Sequence, residues 1–171
     1  MARRLNSEIK VTPNGDWVFR GSHIEQKDIL EYFRKNLKDA KDGIYIDNEY
    51  GQFSEEGYLE LFGYALNLIR VWEKDGELFF LADSGEELAL SSLEIAADRD
   101  SELFARKKDQ VFLKYKIARN VSTVLGDYIL ESDEGLKLKI GQKEILIPET
   151  KEGPEVSLPE EFQGKLSNPE I

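Results

Sequence analysis

VWEKDGELFFL, residues 71–81, determines whether the middle of this chain is helical or extended. Lys74-Asp75-Gly76 is typical of a tight hairpin turn, because Asp-Gly pairs adopt the backbone angles that such turns require. The apolar run that follows the turn, residues 77–81, needs an antiparallel partner on the other side of it. The sequence therefore predicts a strand that ends near Trp72.

The segment before this hairpin, residues 53–72, carries two overlapping patterns. Its apolar residues fit one face of a helix, and with one slip they also fit the alternation of a strand. Ser54-Glu55-Glu56 is also a suitable start for a capped helix. Because of the hairpin, we expect strands from about Tyr64 onward and leave the helix open as the alternative.

The flanking segments predict more short strands and two helices. Pro13-Asn14-Gly15 joins two strands into an opening hairpin, and residues 111–117 alternate as a strand does. Apolar residues at helical spacing predict an amphipathic helix over residues 26–37. A second helix is expected to begin near Arg119, before a hairpin over residues 136–147.

Two parts of the chain share a layout. Phe19 precedes Ile24 by five positions, and Phe112 precedes Ile117 by the same number. Each pair is followed by a helical pattern and then by a strand that begins with glycine. The spacing predicts duplicated strand-helix-strand units in an α+β fold with a mostly antiparallel sheet.

We place the first repeat unit at residues 1–63 and the second at residues 64–148. Residues 149–171 are rich in Pro, Glu, Gly and Lys, and their apolar residues are scattered. Such a composition predicts a tail that is flexible or lies over the surface. Its deletion is expected to leave thermal stability nearly unchanged.

The amino-acid composition argues against several kinds of functional site and partner. The chain has no cysteine and one histidine, so disulfides, thiolate nucleophiles and clustered transition-metal ligands are not expected. Its net charge of −11 argues against nucleic acid as a partner. Arg106-Lys107-Lys108 is interpreted as a solvated loop. We expect no cofactor, no metal, no transmembrane span and no secretory signal, and therefore a cytoplasmic protein.

The single histidine, His23, precedes the first helix. As a catalytic group it would need an orienting carboxylate and a nucleophile or substrate beside it, so a residue in an ordinary strand-to-helix connection is the favoured interpretation. The acidic groups at residues 47–49, 83–87 and 98–102 lack the spacing of a calcium loop. They are interpreted as solvated turns.

Several short motifs resemble one bacterial family, and their order and spacing carry the likeness over most of residues 8–148. They are Gly15-Asp16-Trp17, Gly21-Ser22-His23-Ile24, Phe33, Leu37, Gly43-Ile44-Tyr45, Leu78-Phe79-Phe80, Gly85-Glu86-Glu87, Val111-Phe112-Leu113-Lys114 and Ile117-Ala118-Arg119. The family is that of domain of unknown function 1285. The resemblance implies a duplicated α+β architecture, a second half like a pleckstrin-homology half barrel, and no established activity.

The resemblance also bears on the candidate site. Arg119 matches the family pattern, whereas His23 and Gln26 stand where the pattern often has Pro and Arg. A cation at a helix start is disfavoured by the helix dipole, so Arg119 needs a partner carboxylate or a bound anion, unless it simply lies exposed over the sheet. We expect a ligand groove between the repeats, with Arg119 opposite Trp17, His23 and Gln26, and with Glu60 nearby.

These observations favour a binding or regulatory module, of the kind used in signal transduction, over an enzyme. A small molecule or a protein segment would lie between the two repeats. The alternative is a hydrolase-like enzyme that uses carboxylates, and it would be favoured by two close carboxyl groups with raised pKa values. The oligomeric state is left open.

Overall fold

The structure is a computed structural model that describes residues 2–163. The chain divides into two compact units. Unit 1 consists of Met1–Ala65, Val111–Leu113 and Pro154–Ile171. Unit 2 consists of Leu66–Gln110 and Lys114–Gly153.

Unit 1 is built on one six-stranded sheet with the strand order β3-β2-β1-β6-β5-β4. Strands β1 and β6 are parallel, and every other neighbouring pair is antiparallel. One helix, α1, connects β3 to β4, and a 3-10 turn occupies Glu160–Phe162. The elements are β1 (Arg3–Val11), β2 (Trp17–Phe19), β3 (Ser22–His23), α1 (Lys27–Lys35), β4 (Leu37–Ala40), β5 (Gly43–Tyr50) and β6 (Phe53–Leu61).

The core of unit 1 lies on one face of this sheet. Val11, Ile44 and Leu59 are fully buried there. Trp17 is 2% exposed and stacks on Phe33 of α1, with 6.0 Å between the ring centres. Alternation leaves the neighbours of these residues on the opposite face of the sheet, which is open to solvent at Lys10 and is covered at Tyr58 by Phe162.

Unit 2 contains a second six-stranded sheet, with the order β10-β11-β12-β7-β8-β9, and a three-stranded sheet with the order β13-β14-β15. Strands β7 and β12 are parallel, and the other pairs are antiparallel. The strands are β7 (Leu66–Lys74), β8 (Glu77–Ala82), β9 (Glu87–Ala89), β10 (Leu93–Ala97), β11 (Leu103–Lys107), β12 (Lys114–Ile117), β13 (Ile129–Ser132), β14 (Gly135–Ile140) and β15 (Lys143–Ile147). The helical elements are α2 (Arg119–Leu125) and the 3-10 turns Leu90–Ser92 and Gly126–Tyr128.

The two six-stranded sheets have the same topology. In each, an antiparallel three-stranded meander leads through a helical connection to a second meander, and the first and last strands pair in parallel. The predicted α+β fold class with duplicated strand-helix-strand units is confirmed. One sheet curls into a half barrel, consistent with the predicted likeness to a pleckstrin-homology half barrel.

The correspondence between the repeats differs from the one that spacing predicts. Helix α1 is matched by the 3-10 turn Leu90–Ser92, whereas α2 leads into the three-stranded sheet. The segments 17–46 and 110–138 therefore have unlike topologies. The spacing between apolar residues reflects the lengths of helices and strands but contains no information on which strands pair. For this reason the spacing aligned two segments that do not correspond in the two sheets.

The ambiguous middle segment is extended. Phe53–Leu61 and Leu66–Lys74 are both strands, so the helical alternative is wrong. Strand β6 is central in its sheet, and its consecutive residues Gly57, Tyr58 and Leu59 are all buried. A strand that is buried on both faces loses its alternation, which produced the helix-like pattern.

The structure also corrects three other predictions about helices, strands and loops. Helix α1 ends at Lys35, and Leu37 begins β4 instead of extending the helix. Arg106 and Lys107 lie in β11 and form ion pairs with carboxylates, so the predicted solvated loop is wrong for them. The predicted strand over residues 111–117 is shorter, since β12 begins only at Lys114.

Residues 149–163 are part of the two units, 149–153 of unit 2 and 154–163 of unit 1. Thr150 donates its backbone N–H to the carbonyl oxygen of Ala97 in unit 2, at 2.9 Å. In unit 1, Val156 and Leu61 exchange two backbone hydrogen bonds of 2.9 and 3.0 Å. Of the two alternatives for the tail, this part lies over the surface. Leu166, which the tail prediction also concerns, is outside the described residues.

Candidate functional site

Arg119 is the first residue of α2, as the sequence predicts. The start of α2 is fixed to strand β7, because Ala118 donates its backbone N–H to the carbonyl oxygen of Leu68 at 3.1 Å. Ile117 and Val121 are both buried. These two side chains hold the start of the helix against the core, and the Arg119 side chain is left exposed.

A surface depression of about 540 Å³ surrounds Arg119 within unit 2. Lys116 supplies a second cation, and its Nζ lies 3.5 Å from a carboxylate oxygen of Glu102. Within residues 2–163, the Arg119 guanidinium forms no ion pair or side-chain hydrogen bond. The depression therefore presents two cations and one carboxylate. The residues that line it include Ser101, Glu102, Leu103, Lys116, Arg119 and Ser122.

The rim of this depression is fixed by a buried aspartate. Asp98 is 6% exposed, and its Oδ1 accepts the backbone N–H groups of Asp100 and Glu102 at 2.8 and 3.0 Å. Ser101 completes the turn with a φ of +65°, in the left-handed region. The prediction that this acidic loop is fully solvated is therefore wrong for Asp98, whose carboxylate organises the loop.

The structure places the other four predicted site residues in unit 1. Trp17 belongs to the core, and its indole N–H is buried without a hydrogen-bond partner among the described residues. Gln26 is exposed immediately before α1 and makes no side-chain capping hydrogen bond. Because Arg119 belongs to unit 2, the groove shared by all five residues stays a prediction.

His23 and Glu60 lie on one row of the unit 1 sheet. His23 on β3 is opposite Val18 on β2, Val18 is opposite Lys10 on β1, and Lys10 is opposite Glu60 on β6. Direct cross-strand partners project their side chains from the same face of a sheet. The structure therefore brings His23 and Glu60 to the same solvent-facing surface, with Val18 and Lys10 between them.

The polar cluster at Tyr115 is one that the sequence did not predict. Its hydroxyl donates to Glu86 at 2.8 Å, and Lys107 donates to the other oxygen of the same carboxylate at 2.6 Å. Burial raises the pKa of Tyr115 and keeps its hydroxyl protonated as a donor. Tyr115 is 1% exposed, so we interpret this cluster as structural support.

Five carboxyl groups of the described residues have a pKa that is shifted in the same direction. In each, hydrogen bonding to a neighbouring residue is the largest cause and lowers the pKa, which favours the ionised form. The groups are Glu8 beside Arg20, Asp42 beside Arg4, Glu77 beside Ser91, Glu134 beside Lys137 and Glu152 beside Arg106. These carboxylates are suited to holding cations and backbone donors in place.

Two further findings concern the described part of the chain as a whole. Residues 2–163 contain no group of three or more His, Asp or Glu side chains arranged to hold a metal ion. Neither of the two α-helices in this range has the length and apolar composition needed to cross a membrane.

Two solved structures resemble this chain. A DUF1285 family protein from Silicibacter pomeroyi DSS-3 matches with a TM-score of 0.68 at 15% identity, over 86% of this chain and 83% of that chain. A DUF1285 family protein from Shewanella baltica OS155 matches with a TM-score of 0.53 at 11% identity, over 70% of this chain and 90% of that chain. No protein-family model matches the sequence, and no curated protein is significantly similar to it. The resemblance predicted from the sequence is confirmed, and at these identities it concerns the fold.

Proposed function

We propose that this protein is a binding module that holds an anionic group of a small ligand or partner segment at Arg119. The observation that supports this proposal is the guanidinium of Arg119, which has no ion-pair partner among residues 2–163 and lies at the same depression as Lys116. A guanidinium presents a planar fork of donors that matches the two oxygens of a carboxylate or phosphate group.

The surroundings of Arg119 support the same chemistry. Ser101 and Ser122 border the depression, and a serine hydroxyl group can donate a hydrogen bond to an anion. Glu102 holds Lys116 only loosely, at 3.5 Å, so a bound anion can compete for this ammonium group. The rim is already ordered by Asp98, which reduces the entropic cost of binding.

The hydrolase alternative receives less support. A carboxylate pair for hydrolysis requires one carboxyl group that stays protonated near neutral pH and therefore has a raised pKa. The five carboxyl groups named above have a lowered pKa. This direction favours a module that binds through ionised side chains.

The test is thermal unfolding of the full chain in sodium phosphate and in sodium chloride at matched ionic strength. A ligand that binds the folded state raises the unfolding temperature with its concentration. We expect Arg119→Ala to lose the part of the phosphate effect that is due to binding, and Arg119→Lys to retain some of it. Lys139→Ala, which removes an exposed cation of β14, is the matched control.

Phosphate also stabilises folded proteins through its exclusion from their surfaces. That effect is common to all variants, so the difference between the parent chain and Arg119→Ala is the measured quantity. Equal stabilisation of the parent chain, Arg119→Ala and Lys139→Ala by phosphate would remove Arg119 from any anion site and overturn the proposal.

A further inference from the structure

A second depression lies on the solvent-facing side of the unit 1 sheet. Its volume is about 390 Å³, and it is lined by residues of β1, β2 and β6, by the turn Arg20-Gly21 that follows β2, and by Leu158. Lys10 and Glu60 face each other across the parallel β1–β6 pair and both border this depression. It belongs to unit 1 alone, so it is independent of the site at Arg119.

Lys10 and Glu60 are not joined by an ion pair within 4.0 Å, and neither has another ion-pair partner among residues 2–163. Opposite charges on directly opposed residues normally stabilise a sheet by pairing. Here Lys10 and Glu60 border the same depression, and neither charge is neutralised by an ion pair with another described residue.

The other two charged residues of the depression are paired with each other. Arg20 donates through Nε and Nη2 to the two carboxylate oxygens of Glu8, at 3.0 and 2.8 Å. Both residues have left-handed backbone angles, with φ of +63° at Glu8 and +49° at Arg20. The strand pairing is irregular at this point, between Asn6 and Lys10 of β1. Non-glycine residues with strained backbone angles are found at ligand-binding sites as well as in turns.

The apolar part of the depression comes from Ile9, Val18 and Leu158. Val18 is the direct partner of Lys10 on the neighbouring strand, so an apolar side chain lies next to the Lys10 side chain on the same face of the sheet. Leu158 comes from the C-terminal segment, whose backbone is fastened to β6 at Leu61. A ligand in this place would therefore meet a cation, an anion and an aliphatic surface together.

We propose that this depression binds a free α-amino acid with an apolar side chain. The ligand carboxylate pairs with Lys10, the ligand ammonium group pairs with Glu60, and the side chain packs on Val18 and Leu158. A simple anion would be repelled by Glu60 and a simple cation by Lys10. Only a ligand that carries both charges satisfies both residues without leaving one of them beside a like charge.

The experiment is a titration of the full chain, observed by the backbone amide signals in NMR spectra. The probes are L-leucine, L-valine and L-phenylalanine, with isocaproate and isoamylamine as analogues of leucine that lack the ammonium or the carboxylate group. We expect an amino acid to shift the signals of Lys10, Val18 and Glu60, and each analogue to bind at least about tenfold more weakly, the change expected for one lost charge-assisted contact.

The variants Lys10→Met and Glu60→Gln test the two charges separately. Each is expected to weaken binding of the amino acid about tenfold, while Lys10→Arg, which keeps the charge, retains most of it. Lys38→Met on β4 of the same sheet is the matched control and should bind as the parent chain does. Because these side chains are exposed or only half-buried, the dispersion of the amide signals will show whether each variant is folded.

Three results would overturn the proposal. They are the absence of shifts with all three amino acids, equal binding of leucine and its singly charged analogues, and unchanged binding by both Lys10→Met and Glu60→Gln. None of them affects the proposal for Arg119, which is tested with phosphate on a different unit.

Discussion

The guanidinium carbon of Arg4 lies 4.8 Å from the centre of the Tyr58 ring, and Arg4 Nη1 donates a hydrogen bond of 2.9 Å to the Tyr58 hydroxyl oxygen. Arg4 Nη2 also donates to Asp42 and to Glu161, each at 2.7 Å. The ring of Phe162 packs near Tyr58, with 5.8 Å between ring centres. Polar and apolar contacts together therefore hold the C-terminal segment on unit 1.

We expect Val156→Ala to lower the free energy of unfolding by about 2 kcal/mol, because a buried aliphatic side chain is truncated. Val156 is 6% exposed, although it lies in the segment that the sequence predicts to be dispensable. Val111→Ala is the matched control, since Val111 is 62% exposed. Urea denaturation of both variants measures the difference. Equal stability of the two would show that residues 154–163 contribute little.

The same contacts change the expectation for a truncation. Deletion of residues 154–171 removes Val156, Glu161 and Phe162, and should lower the thermal unfolding temperature relative to a chain that ends at Gln163. The two truncations differ only in described residues, so their comparison isolates this segment. If the two truncated chains unfold at the same temperature, the tail is dispensable for stability, as its composition predicts.

Local sequence signals predicted local structure well. The hairpin at Asp75-Gly76 and the start of α2 at Arg119 are both confirmed. These features could be predicted because turn types and helical spacing depend on residues that are close together in the sequence. The parallel pairs β1–β6 and β7–β12 join residues that are far apart in the chain. No local pattern records such a pairing, so the correspondence of the repeats was matched wrongly.

The candidate sites also combine residues that local sequence could select with residues that only long-range strand pairing brings together. Arg119 could be selected because a cation at a helix start is unusual. Lys116 precedes it by three positions in the sequence, whereas Ser101 joins it only through the pairing of β11 and β12 and through the turn before β11. Lys10 alternates with the buried residues Ile9 and Val11, which predicts only an exposed side chain. Its position opposite Glu60 follows from the parallel β1–β6 register.

We expect Asp39→Ala to lower the free energy of unfolding by about 1.5–3 kcal/mol, the range for hydrogen bonds to a charged acceptor. Asp39 Oδ1 accepts the backbone N–H groups of Phe112 and Leu113, each at 2.8 Å, and Oδ2 accepts that of Val111 at 2.9 Å. Without the carboxylate, the partly buried N–H groups of Phe112 and Leu113 lose their acceptor.

Asp39→Asn should give an intermediate loss of stability, because its carbonyl oxygen can replace Oδ1 whereas its NH₂ group cannot accept from Val111. Asp109→Ala, at an exposed position, is the control in the same urea experiment. If Asp39→Ala and Asp109→Ala unfold at the same urea concentration, the hydrogen bonds to Val111–Leu113 do not contribute to stability.

Gly63→Ala should destabilise unit 1 by more than about 3 kcal/mol, because the added carbon overlaps backbone atoms that cannot move aside. A Cβ atom at this position would lie 2.1 Å from the carbonyl oxygen of Thr12 and 3.0 Å from backbone atoms of Pro13. The control is Gly126→Ala, where a Cβ would meet nothing within 4 Å and the backbone is helical. That change should be neutral or stabilising. A folded and equally stable Gly63→Ala chain in thermal denaturation would contradict this close approach.

The ion pairs of Glu152 predict a dependence of stability on pH. Arg106 Nη1 donates to Glu152 Oε1 at 2.8 Å, and Lys114 Nζ lies 3.0 Å from the same oxygen. The hydrogen bond from Arg106 lowers the pKa of Glu152 from its ordinary value of 4.5. Because the folded state favours the carboxylate, this contribution is fully present above pH 4.5 and is lost as the pH falls through the lowered pKa.

Glu152→Gln should therefore be less stable than the parent chain at neutral pH, by about 0.5–1 kcal/mol, because the carboxylate is partly exposed and its ion pairs are screened by solvent. The two chains should approach the same stability as the pH is lowered well below 4.5, where Glu152 of the parent chain becomes protonated. Glu131→Gln removes an exposed carboxylate and serves as the control. Urea denaturation of the three chains across this pH range measures the difference. A gap between Glu152→Gln and the parent chain that stays constant into acid would mean that the lost stability does not come from the charge of Glu152.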